Sequence, residues 1–107
     1  MAVARGTTPT ITITFSATKY PTLDLTTASL MRVTFSSGIK TFSKEGEALE
    51  VGARSIGVFL AQQETLQFVQ KAEVQANWLT ADGKRCCSKV IEFDVGRQLE
   101  DKVMTNG

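Results

Sequence analysis

The residues best equipped for chemistry in this chain are its two cysteines, Cys86 and Cys87, adjacent within WLTADGKRCCSKVIEFDV, Trp78 to Val95. A thiolate is both a nucleophile and a metal ligand, so the pair raises a metal site, a redox switch or a disulfide. The rest of the chain narrows these. It contains no histidine, which removes Ser-His and Cys-His nucleophile pairs and the usual neutral-pH general base. Two cysteines without histidine do not complete a four-ligand zinc site in one chain. Neighbours on a strand point to opposite faces, whereas a disulfide needs its Cβ atoms about 3.8 Å apart.

Other chemistry-bearing groups have simpler readings. Glu45, Glu47 and Glu50 offer oxygen ligands for calcium but lack the dense Asp/Asn spacing of a calcium loop, so they read as a solvated turn. Glu92 and Asp94 share a strand face without a perturbing pocket visible in the sequence. The hydroxyls of RGTTPTITIT suit the outer face of an ordinary strand, and Tyr20 with Trp78 forms a sugar platform only if Trp78 faces outward. The expectation is a protein with no catalytic residue, no metal and no cofactor.

Those groups must be positioned by a single domain, because 107 residues build one core. The hydrophobic fraction of 42% and the charged fraction of 21% are those of a globular chain. Twelve basic and 11 acidic residues leave a net charge of +1, scattered along the chain, which argues against nucleic acid as a partner. The opening MAVARGTTPT lacks the apolar run of about 7–15 residues of a signal peptide. Synthesis in the cytoplasm, with no membrane partner, is therefore expected.

The dominant period is two. TITITFS, Thr10 to Ser16, alternates Ile11, Ile13 and Phe15 with hydroxyls; LMRVTFS, Leu30 to Ser36, sets Met31, Val33 and Phe35 against Arg32 and Thr34. Ser37-Gly38 then turns the chain into IKTFSK, predicting a hairpin over Met31 to Lys44. A short strand follows near Ala48 to Val51, and SIGVFL buries Ile56, Val58 and Leu60. AQQETLQF, Ala61 to Phe68, breaks the alternation and reads as one helical turn. KAEVQANWLT presents Ala72, Val74, Ala76 and Trp78, and the last strand presents Ile91, Phe93 and Val95. About seven strands at this spacing predict an all-β, immunoglobulin-like antiparallel β-sandwich. Residues 1–9 read as an amino-terminal arm, 10–96 as the sandwich and 97–107 as a tail that frays or forms a brief helix through Leu99 and Val103. The predicted core is Ile11, Ile13, Phe15, Val33, Phe35, Ile56, Val58, Val74, Trp78, Cys87, Ile91 and Phe93.

Asp82-Gly83 is a strong hairpin signal, because a type I′ turn needs positive φ at both central residues. With those two as the loop, Trp78 meets Cys87, Val74 meets Ile91 and Ala72 meets Phe93. A three-residue loop slips the register by one and sends Ile91 and Phe93 to the polar face, so the two-residue loop is preferred. Cys87 is then a small buried hydrophobe beside Trp78, and Cys86 an outward thiol facing Leu79. Pairing between chains through Cys86, or redox or metal use, are the other readings. Lys89 lands on the core face, which requires either an outward-snorkelling side chain or a bulge. Leu79, Cys86, Leu99 and Val103 are the expected interface residues.

The order of several short segments resembles the amino-terminal domain of phage baseplate upper proteins and their short prophage-encoded relatives. They are Asp24-Leu25-Thr26, then Arg32-Val33-Thr34-Phe35 before a glycine turn, and the stretch from Lys44 to Val51. QQETLQF from Gln62 to Phe68, VQANWLTADGK and the closing FDVG complete the series. Together they span roughly residues 10–96. The resemblance implies a β-sandwich built into a virion, docking on other phage structural proteins and forming homo-oligomers, and it carries no catalytic residue. Members of that family continue into a helical stalk that trimerises and holds receptor-binding proteins. This sequence reaches Gly107 without one, so a head-tail or tail accessory role stands beside the baseplate role. The alternative is a generic immunoglobulin-like adhesion or carbohydrate-binding module.

Overall fold

The computed structural model describes residues 2–98 and 102–105. Among them nine strands and one α-helical turn follow in order, with 3-10 turns at Leu25–Thr27 and Gly46–Ala48 between strands: β1 (Ala2–Ala4), β2 (Thr10–Thr14), β3 (Leu30–Ser37), β4 (Lys40–Glu45), β5 (Leu49–Gly52), β6 (Ser55–Phe59), α1 (Gln62–Thr65), β7 (Lys71–Leu79), β8 (Arg85–Cys87) and β9 (Ile91–Gly96). The protein is mostly β. One sheet runs β1-β9-β7-β3-β4, with β8 also on β7, and a second runs β2-β6-β5. The amino-terminal arm supplies β1, which lies parallel to β9.

The alternation explains both sheets. Ile11 and Ile13 from β2 and Ile56 and Val58 from β6 are buried. They join Val33 and Phe35 of β3, Ala72, Val74, Ala76 and Trp78 of β7, and Phe93 of β9 in one apolar cluster. Burial of each of the larger aliphatic and phenylalanine side chains among them contributes about 1.5–3 kcal/mol. Phe15 and Ile91, expected in the core, are only half-buried and pack against its rim. Phe15 directly follows β2 and Ile91 begins β9, so both sit at the margins of the sheets rather than at their middle.

The segment between β6 and β7 turns because Leu60 and Phe68 are both buried while the residues between them are largely polar. Glu64 holds it in place. Its Oε1 accepts the Ala61 N–H at 2.7 Å, and its two oxygens receive the Lys44 ammonium of β4 at 2.6 and 2.7 Å. From the other side Arg5 donates to the carbonyls of Leu66 and Phe68 at 2.7 and 2.8 Å, satisfying acceptors that a helix end leaves open. The Thr65 hydroxyl, fully buried, donates to the Thr7 carbonyl at 2.7 Å. The arm and α1 thus brace each other.

The last hairpin differs from its expected register. Thr80 N–H donates to the Lys84 carbonyl, and Gly83, at φ 87°, closes a three-residue loop of Ala81, Asp82 and Gly83. Trp78 therefore faces Cys86 and Asn77 faces Cys87. Further along, Val74 still faces Ile91 and Ala72 still faces Phe93. One extra residue within Ser88–Val90 reconciles the two registers, so the strand is bulged there and Lys89 is exposed. The expected cysteine placement is reversed: Cys86 is half-buried against the core and Cys87 is exposed on the outer face. Ile91 and Phe93 of β9 keep the inward facing that alternation predicts, because a bulge satisfies alternation as well as a shorter loop does.

Candidate interaction surfaces

The outer face of the larger sheet is built from the alternate residues of β3, β4, β7 and β8. Arg32 pairs across with Asn77 and with Glu45, and the Arg32 guanidinium meets the Glu45 carboxylate at 3.3 Å. Thr34 and Ser43 share a hydrogen bond of 2.9 Å, and Arg85 donates twice to the Asn77 side-chain oxygen. At one end Leu30 and Leu79 are opposite each other, and Arg85 follows on β8. A shallow groove of about 340 Å3 runs over these residues. At the other end Lys71 bridges Glu92 and Asp94 at 3.2 and 3.0 Å.

The Lys71 ammonium is held above the ordinary lysine value, chiefly by its hydrogen bond to Asp94 and then by that to Glu92. A raised lysine pKa favours the fold below the ordinary lysine value, and that contribution fades only as pH rises through the raised one. The cluster is solvated and screened, so neutral-pH stability does not depend on small changes in pH through this group.

Of the four expected interface residues, Leu79 lies on this outer face, half-exposed. Cys86 turns inward instead, because β8 pairs one residue out of the expected register. Val103 is 43% exposed within residues 102–105, which are irregular and which Gln62 anchors through two hydrogen bonds to the Met104 backbone. Leu99 lies outside the described residues. The two thiols give a direct check on the register. Alkylation of the folded protein is expected to modify Cys87 rapidly and Cys86 slowly, with the difference vanishing in denaturant; rapid modification of Cys86 first would contradict the bulged pairing.

Two apolar residues outside that expected set, Ile39 and Val69, stand out more. Ile39 is 98% exposed, at the tip of the β3–β4 hairpin, whose two-residue loop Gly38-Ile39 uses φ 61° at Gly38. Beside it, Val69 is 51% exposed, and its Cγ2 lies 3.4 Å from the point where a Gly38 side chain would begin. Ile39 lies in the turn and not in the returning strand expected from IKTFSK, as its place directly after Ser-Ser-Gly signals. Scattered apolar side chains are normal on surfaces, but two β-branched ones at one tip form a small knob.

Two further grooves lie near Tyr20. One, of about 390 Å3, is lined by Lys19, Tyr20, Asp24, Thr27 and Thr80 and has Trp78 at its floor. Trp78 itself is only 8% exposed and packs edge-on against Phe15, whose ring in turn meets Tyr20 edge-on. The other, of about 250 Å3, lies between the end of β2 and the β8–β9 bulge. Among the described residues no three metal-ligating side chains come together, and no helix is long and apolar enough to cross a membrane. No protein-family model and no curated protein matches this chain.

Proposed function

We propose that this chain is a phage or prophage virion structural protein of the baseplate, tail or head-tail junction that acts by docking on other proteins and performs no catalysis. The observation that carries the docking part is the uncovered Ile39 knob with Val69 beside it, on a mostly β body whose strands β2, β4 and β5 stand at sheet edges. An isoleucine held in water at a hairpin tip, where a polar residue serves equally well, gains free energy only when a partner covers it. The short-segment resemblance to baseplate upper proteins supplies the class of partner. Within this reading the two sheets are an immunoglobulin-like sandwich, and the exposed edges and tips are its contact points.

Sedimentation velocity of the chain alone, and mixed with the products of the genes that flank its own, tests the reading. A self-associated or mixed complex is expected. A chain that stays monomeric at high concentration and binds none of those products removes the proposal. A carbohydrate-binding module remains the second reading because the Tyr20 ring, 43% exposed, borders a groove with hydroxyl and carboxylate groups. Reproducible glycan binding that is lost in Tyr20→Ala would favour it.

A further inference from the structure

The flank between the two sheets is open at the end of β2. In an antiparallel ladder, bonded and non-bonded pairs alternate. The bonds from Phe15 N to the Arg54 carbonyl and from Leu60 N to the Pro9 carbonyl set the phase, so Ile11 and Ile13 exchange bonds with β6. Thr10, Thr12 and Thr14 therefore aim their N–H and C=O groups away from β6, at an edge where no other strand pairs among the described residues. On the opposite sheet the bond from Val95 N to the Gln70 carbonyl likewise directs Ala72–Phe93 and Val74–Ile91 inward to each other, leaving Glu92 pointing outward. The described part of β1 reaches only to Asp94.

Between these two edges lies the 250 Å3 groove, lined by Ile13, Phe15, Tyr20 and Ile91 among others. The charged residues on its lining are Lys19 and Lys89, both exposed, and no carboxylate lines it or pairs with them among the described residues.

We infer that this groove receives an extended, acidic segment of a partner protein, which adds to the edge of β2 as a further strand. Main-chain bonds to Thr12 and Thr14 supply the affinity, alternate apolar side chains of the segment enter between Phe15, Tyr20 and Ile91, and its carboxylates meet Lys19 and Lys89. The inference rests on the docking reading above and assigns it a site distinct from the Ile39 knob.

The test is selection of binders from a yeast-displayed library of random linear peptides, followed by amide exchange with the selected peptides. Acidic, alternating apolar sequences are expected, with Thr12 and Thr14 amides protected on binding. The double substitution Lys19→Glu, Lys89→Glu should weaken them by about tenfold, the scale of two exposed charge pairs reversed. Thr14→Pro, which removes an edge donor at a position where proline is tolerated, should abolish binding while the thermal melt stays cooperative. Selected peptides without acidic enrichment, or protection elsewhere, would overturn the inference. So would self-association lost in the lysine double variant, since the occupant would then be a second copy. Complex formation with tail proteins that is indifferent to both variants would also remove this groove while leaving the docking reading standing.

Discussion

Phe35→Ala is expected to lower the unfolding free energy by about 3–5 kcal/mol, the cost of truncating a buried aromatic residue and leaving a cavity. Phe35 is fully buried on β3, between β4 and β7 in the larger sheet. Its ring stacks on Phe42 at 5.3 Å and lies 6.0 Å from Phe68 and 6.5 Å from Phe93, which meets it edge-on. Phe68 closes the cluster, stacking on Phe42 at 5.9 Å and meeting Phe93 edge-on at 5.6 Å. The four rings come from β3, β4, β9 and the segment after α1, so one truncation loosens every element that meets there. The surrounding strands are tied by their ladders and cannot collapse into the space. Since single domains are stable by only about 5–15 kcal/mol, this change removes a large share of the total. Urea unfolding should show a lower midpoint with an unchanged slope, and Phe59→Ala, on an exposed ring, should stay within about 0.5 kcal/mol of the parent. A loss under about 1 kcal/mol in Phe35→Ala would mean that the ring cluster is not the centre of the core.

Ser88→Ala is the second large effect, expected at about 1–3 kcal/mol for so small a change, because it orphans a buried donor. At the bulge the Ser88 hydroxyl oxygen accepts the Ala76 N–H at 2.9 Å, in place of a backbone carbonyl, while Ser88 N–H donates to the Ala76 carbonyl at 2.9 Å. The same hydroxyl donates to the Lys89 carbonyl at 2.8 Å, and the Gln75 side chain donates to the Ser88 carbonyl at 3.0 Å. Ser88 is buried, and water does not replace what the hydroxyl provides. Amide exchange is the sensitive readout: Ala76 should lose protection in Ser88→Ala while Ala72 and Val74 keep theirs. Unchanged exchange at Ala76 would show that the bulge holds without its serine.

Ser88 also shows where reading the chain by pattern stops. Period-two alternation identifies the inward residues of β2, β3, β6 and β7, because each of those strands buries one face along its length, and its interruption over AQQETLQF identifies α1, though not the 3-10 turns at Leu25–Thr27 and Gly46–Ala48. The mostly β class was legible for the same reason. The bulge was not, since alternation constrains only where a strand faces and is satisfied again once an extra residue has been inserted. That single residue inverted Cys86 and Cys87. Strand β1 was hidden as well: Ala-Val-Ala has too little pattern to announce a strand, and Val3 is buried where β1 pairs with β9 and where Arg5 and Thr7 tie the arm to the segment around α1. The groove beside β2 depends on Lys19 and Lys89, 70 positions apart in sequence, being brought to one flank, which no local spacing announces. Ile39 was visible as a residue but not as a surface, because its exposure follows from the tightness of a two-residue loop.

The central claim is that the chain works by being docked on. The most direct measurement is sedimentation velocity with the products of the genes that flank its own, run in parallel for the parent protein and for Ile39→Asp, a substitution on a side chain already in water. The account predicts a complex with the parent and a weakened complex with Ile39→Asp, both variants melting alike. A parent chain that sediments as a monomer at every concentration, with no partner among those products, would contradict it.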